Sequence, residues 1–524
     1  MDRLKKIVLD NKTLLTAFIA YCGVFLFFTY FYYQRLAAFG CFDDCFNYMG
    51  GYFLLNGKEI YVDFFFNHSF LLPFISFLIQ KISQPSTIYS LILIHKIFLF
   101  LFSFAFGILL ILRFRIKAAL ALIFFEATKF YVFGDHFLGE SFIIYPLMYL
   151  VGIVWEKVNE RELSKLDYIL AGVFGWFCAA IREPYAPLSI ILLLMVLVGR
   201  KDLKKKAYSL AIFVTLSLVS ILTVSVKDFL LNVYFYNKEI IGQELRGNNV
   251  YGLGILNTLS YPLRIFTEGE NNLLRQILIF FSAVFLSAGI FYSFKLKRVG
   301  FIIMFIILAI SNIRPTVPGK MFYEAYHMNV WYGLFIFVTF LIVFELFNAW
   351  NKKLRFNFLM PFFVMAIFIF ISPSFFIWEK IDRVSEFNTN YAQEFTYGSA
   401  IKLLSKENDT IFVEERDDLI YWIANRPSAY QHTWYTAHMP LIDRFKEDRL
   451  LMFESKPPDF YFDACFGQNK KHRAYLLEIE QNYERLSING NPSCLLIKNS
   501  TLKEITKEKW NSVKPLGFTL NIGS

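Results

Sequence analysis

The chain has 524 residues, 56% of them apolar, with a formal net charge of +10 and a mean hydropathy of +0.44. The apolar residues come in long uninterrupted runs rich in Phe, which excludes an ordinary soluble globular protein and points to a polytopic helical membrane protein. The basic residues cluster in short loops between those runs instead of forming one stripe, so nucleic acid is excluded as a partner and the lipid bilayer takes its place.

Arg3, Lys5 and Lys6 precede a first apolar run over residues 14–33, which puts the N-terminus on the cytoplasmic side. That run is long and lacks a small-residue cleavage site, so it reads as a span and not as a cleavable signal peptide. An acidic external loop follows. The apolar stretch 69–82 is short for a crossing and reads as interfacial or re-entrant. Residues 88–112 return inward to Arg113, Arg115 and Lys117.

Segments 118–133 and 141–155 form one hairpin, and 168–181 and 185–199 a second that ends in the basic run from Arg200 to Lys206. Residues 207–226 lead out to a long external loop, 276–294 return, and 300–312 go out again. A further external loop is followed by 329–347 and by the last outward run, 358–377. The window-length criterion gives about eleven spans, with every strongly basic loop on one side.

Beyond residue 377 charged residues become frequent. Short β-like runs at 410–414, 459–463 and 494–498 alternate with helix-like stretches at 400–406 and 472–486. The fold expected is therefore an all-α polytopic membrane domain over 1–378, followed by a small α/β domain over 379–524 that the span parity places outside. Of six cysteines, Cys22 and Cys178 lie inside apolar segments and read as core residues. Cys41 with Cys45, and Cys465 with Cys494, are each compatible with a disulfide or with free thiols.

The most informative feature is the pair Asp43-Asp44 in FGCFDDCFNYMGGYFLLNGKEIYVDFFFNHSFLLPF, because charge near the hydrocarbon boundary is costly and marks an ion path, a relay or a catalytic site. Gly57, Tyr61, Asp63 and Pro73 follow it. This stretch resembles the first external loop of the C-type (GT-C) membrane glycosyltransferases, the superfamily of the protein O-mannosyltransferases and the aminoarabinose and lipopolysaccharide-core transferases. The resemblance extends in layout over the membrane domain but is specific in residues 41–74. It implies a GT-C-like fold and an inverting transfer of sugar from a polyprenyl-phosphate donor to a glycan, lipid or protein acceptor. The active site and C-terminal domain would then be extracytoplasmic, in a bacterial inner (plasma) membrane.

Such a transfer needs a carboxylate for the acceptor nucleophile and cations for the departing phosphate. The resemblance makes Asp43 or Asp44 the base. Adjacent helical residues diverge by about 100°, so one would face substrate while the other caps or braces the loop. It also implies that Tyr61 and Asp63 belong to a G-x-x-x-Y-x-D element of the same loop, and that Glu140 is the second acidic residue.

Asp135, His136 and Glu140 are candidates for a divalent cation, although no full ligand set is legible, and the resemblance covers families that work without metal. Arg182, before Glu183-Pro184 at a hairpin tip, either grips phosphate through its fork of donors or pairs with a carboxylate to brace the tip. Arg314, Lys320 and Tyr323 resemble the basic and aromatic residues of a late external loop that binds the donor phosphate. Arg246 and Arg264 are weaker candidates, and His432, Trp434, Tyr435 and His438 suit either an acceptor sugar or a packed loop. Two other classes compete: a transporter or flippase of lipid-linked sugars, and an O-antigen polymerase or ligase.

Overall fold

In the computed structural model the described residues are 2–35, 43–199, 201–236, 272–294, 298–311, 325–349, 362, 365, 387–388, 391–414, 419–430, 443–463 and 481–520. The expected last span at 358–377, the loop with Arg314, Lys320 and Tyr323, and Arg246, Arg264, His432, Trp434, Tyr435 and His438 lie outside them, Phe362 and Met365 excepted. The helices of the first half are α1 (Asp2–Arg35), α2 (Asp43–Leu55), α3 (Leu71–Ser83), α4 (Ile88–Phe114), α5 (Ile116–Thr128), α6 (Gly139–Val158), α7 (Lys165–Ile181), α8 (Ala186–Leu197) and α9 (Leu203–Thr223). The chain divides into two compact units. One draws on residues 1–37, 85–223 and 249–381, the other on 38–84, 224–248 and 382–524.

The first unit is helical. Among the described residues five helices are long and apolar enough to cross a membrane: α4, α6, α9, Leu274–Tyr292 and Tyr326–Phe347. Shorter apolar helices run over Leu14–Tyr30, Glu183–Leu197 and Val299–Ser311. Burial sorts them: the apolar windows of α6 and of Tyr326–Phe347 are each 89% buried, whereas that of α9 is 11% buried. The first two are therefore the centre of the bundle, and α9 presents its side chains to the surroundings. Lipid tails are as apolar as Leu, so the centre is held by close packing and internal hydrogen bonds. The Tyr332 hydroxyl donates to Thr128 Oγ1 at 2.6 Å, and Phe125 packs on the rings of Tyr145 and Tyr332.

At the end of this bundle where α4 stops and α7 starts, charge is neutralised locally. Arg113 Nε lies 2.7 Å from Asp167 Oδ1, which also accepts from the Tyr149 hydroxyl at 2.8 Å. Asp167 closes a capping box with Ser164 at the start of α7. Lys117 reaches Glu156 at 3.7 Å and Glu345 at 3.8 Å, and Arg161 joins the same two carboxylates. These are the residues of the basic loops.

The second unit opens with α2 packed on α3. Glycines at 50 and 51 make the approach possible: a Cβ at Gly51 would sit 2.4 Å from Ser76 Oγ and 2.7 Å from Phe77 N. Gln80 Nε2 then donates to Tyr48 O at 2.7 Å. The sheet has the order β1 (Ile411–Val413), β2 (Phe460–Phe462), β4 (Asn491–Lys498), β3 (Tyr483–Ile488), β5 (Phe518–Leu520). Only β1 and β2 are parallel. Under it, Arg449 pairs with Glu414 in full burial, with Tyr461 donating to Glu414 at 3.0 Å and the guanidinium over the Phe412 and Tyr430 rings.

The expected strands at 410–414, 459–463 and 494–498 correspond to β1, β2 and part of β4. The helix expected over 472–486 is corrected at its described end, where residues 483–486 form strand β3. Asn489 and Gly490 both take positive φ, 52° and 81°, so they close a two-residue hairpin onto β4. That Asn-Gly turn, and not the charge spacing upstream, decides the element.

Candidate active site

The first-loop carboxylates start α2. Their split follows from the 100° step of the helix. Asp43 is exposed, while Asp44 is 1% exposed and accepts from the Tyr48 hydroxyl, one turn on, at 3.3 Å. Both sit in the first turn, where the helix dipole favours a carboxylate. One carboxylate is thus solvent-exposed and its neighbour is buried.

Tyr61 and Asp63 shape the loop behind them. Tyr61 is buried with φ of 70°, a left-handed conformation that costs a non-glycine residue energy. Its hydroxyl donates to His68 O at 2.6 Å, its carbonyl accepts from Asn232 Nδ2 at 3.1 Å, and its ring packs against Phe229. Asp63 folds a turn back on itself, accepting from Glu59 N at 2.8 Å while its own N–H donates to Glu59 O at 2.8 Å. Phe46 stacks on Phe66 at 4.3 Å, with His68 edge-on to both rings. These side chains hold the loop.

A second group of ionisable side chains gathers at the end of the first unit where α5 stops and α6 begins. Glu140, in the first turn of α6, meets Arg182 at the C-terminus of α7: Arg182 Nε lies 2.8 Å from Glu140 Oε1, and both side chains are buried. This is the bracing contact for Arg182, and it leaves other N–H donors on the guanidinium. Asp135 lies 4.0 Å from Lys96 Nζ, and His136 packs edge-on to Phe133. Among the described residues no three His, Cys, Asp or Glu side chains come together as a metal-binding group, so Asp135, His136 and Glu140 do not form a ligand set.

Sequence reading missed the core of this cluster. Lys129 Nζ lies 2.7 Å from Glu126 Oε2 and 3.0 Å from the Tyr145 hydroxyl, which donates to Glu126 Oε1 at 2.6 Å. All three are fully buried, with Lys129 facing the rings of Phe100 and Tyr145. The His95 ring meets Phe137 edge-on at 4.9 Å, and Tyr185 donates to His327 O at 3.1 Å, which ties Ala325–Met328 to the same end. The usable signal was ionisable residues within apolar segments: Lys96 in α4 and Glu126 in α5. In low dielectric such charges persist only when paired, and here each cation faces a carboxylate.

Chemically, the second unit offers a solvent-facing carboxylate beside a fixed one. The first unit offers buried cations, each paired with a carboxylate. No protein-family model matches the sequence, and no curated protein matches it.

Proposed function

We propose that the chain is a membrane glycosyltransferase that moves a sugar from a polyprenyl-phosphate donor to an acceptor on the extracytoplasmic face, with a first-loop Asp as base. The observation that carries the reading is the Asp43-Asp44 pair at the start of α2, with Asp43 exposed and Asp44 buried against Tyr48. In this reading a GT-C-like domain of about eleven spans has its N-terminus in the cytoplasm and its second unit outside. Support for the outside placement comes from Cys45 and Cys494, both disulfide-bonded, which suits an oxidising compartment.

The base accepts the proton of the acceptor hydroxyl as that oxygen attacks the anomeric carbon. The anomeric C–O bond to phosphate breaks, and its electron pair leaves on the polyprenyl phosphate with inversion at the carbon. A cation offsets the charge that builds on the leaving phosphate, the role given to Arg182 together with Arg314, Lys320 and Tyr323. Glu140 orients Arg182, and Tyr61 and Asp63 hold the first loop.

The test supplies radiolabelled polyprenyl-phosphate sugars to membranes containing wild type, Asp43→Asn or Asp44→Asn. Consumption of one donor that falls at least about 100-fold in Asp43→Asn supports the reading. Equal consumption by wild type and both variants removes the pair from catalysis. A transporter of lipid-linked sugars is the second reading, favoured by Lys96 and Glu126 inside apolar helices, with Lys129 just past the end of α5. It takes over if labelled lipid crosses the bilayer while no donor is consumed.

A further inference from the structure

The second unit contains a cavity of about 840 Å³, within the roughly 300–1,000 Å³ of small-molecule sites. It lies between the end of α2 with its following turn and the C-terminus of the helix Ala392–Leu404, both parts of the same unit. Its described lining is basic: Lys58, Lys402, Arg426 and Lys509 stand against Glu407. The remaining lining includes Asn56, Asn425 and the largely buried Tyr52 and Phe53, which form part of its wall.

Two of the four cations are committed to the wall. Lys509 Nζ donates to Leu404 O at 3.1 Å and to Ser405 O at 2.9 Å. Arg426 donates to Ser405 Oγ at 2.7 Å, Lys402 O at 3.2 Å and Asn425 O at 2.9 Å. They cap the last carbonyls of that helix and fix the cavity's shape. Tyr52 is fixed too, donating to Tyr421 O at 3.1 Å and to Asn425 Oδ1 at 3.2 Å.

Lys58 and Lys402 are not committed in this way. The Lys58 ammonium lies over the Phe53 ring at 5.9 Å, and among the described residues it makes no hydrogen bond. Burial pushes its pKa below the ordinary lysine value, with the Asp63 charge opposing. An anion entering the cavity would restore what that burial takes away. Lys402 is exposed at the rim.

We propose that this cavity binds an acidic oligosaccharide, its carboxylate or phosphate groups held by Lys58 and Lys402. Resting on the transferase reading, this makes the acceptor an anionic glycan; binding itself does not depend on that reading.

The test measures binding of trigalacturonate and of neutral maltotriose to the full chain in nanodiscs of zwitterionic lipid, with no sugar donor present. Trigalacturonate should bind and maltotriose should bind at least tenfold more weakly. Lys58→Ala/Lys402→Ala should weaken trigalacturonate at least tenfold, as should raising the salt from 50 to 500 mM. Lys402→Ala alone, at an exposed position, should give a partial loss and guards against misfolding of the double variant. Equal binding of the two trisaccharides, no binding of trigalacturonate, or binding unaffected by the double variant would overturn the proposal. Trigalacturonate bound by a chain that consumes no polyprenyl-phosphate sugar would retain the site and remove the transferase reading.

Discussion

The buried pair Glu140–Arg182 allows a quantitative test of how the first unit holds charge. Arg182 Nε lies 2.8 Å from Glu140 Oε1, with side chains 8% and 1% exposed. Arg182→Ala removes the cation that lies 2.8 Å from the Glu140 carboxylate, and Glu140→Ala removes that carboxylate from the guanidinium. Breaking a buried pair from either side costs about 3–5 kcal/mol, because the remaining charge loses its counterion. The double variant Glu140→Ala/Arg182→Ala removes both charges, so its cost falls short of the sum by a coupling of about 1–3 kcal/mol. Unfolding of the four proteins in nanodiscs, by denaturant titration followed by Trp fluorescence, closes the cycle. Additive losses would refute the reasoning, since they would mean that the two groups do not depend on each other for their charge.

Other consequences can be checked in the same preparation. Glu414→Gln leaves the Arg449 guanidinium in full burial without its carboxylate, and should lower the stability of the second unit by about 3–5 kcal/mol. Gly51→Val drives new atoms into Ser76 Oγ and Phe77 N; it should cost about 1–3 kcal/mol and expose Cys45 to reductant faster than in wild type. For Lys58 burial holds the folded pKa below 10.5. The penalty on the charged form is fully present below the folded value, and between that value and 10.5 the unfolded chain binds more protons. Stability therefore rises with pH through that window, with Asp63, Lys402, Glu407, Arg426 and Lys509 as the neighbouring charges. In Lys58→Met this rise should disappear from the denaturation midpoint measured between pH 7 and 10.5; an unchanged slope would assign it elsewhere.

Composition and the run lengths of apolar residues determined the membrane character, because a chain in hydrocarbon must bury its backbone polar groups in helices, and helices long enough to span leave a plain signature. They also located most helices: the segments read at 88–112, 141–155 and 329–347 correspond to α4, α6 and Asn329–Ala349. Four of the five expected C-terminal elements were legible as well, since β1, β2 and β4 are apolar runs between turn residues and the stretch at 400–406 falls at the end of the helix Ala392–Leu404. Tertiary structure decided what periodicity does not encode. Strand β3 rests on pairing with β4 through the Asn489-Gly490 turn. Asp43 and Asp44 are identical in chemistry and adjacent in sequence, and only the helix phase exposes one and buries the other against Tyr48. Glu140 finds Arg182 across 42 residues, and Tyr52 finds Asn425 across 373. Partners that far apart are chosen by the packing of whole elements, because the low dielectric inside forces each buried charge toward whichever opposite group the fold brings within reach.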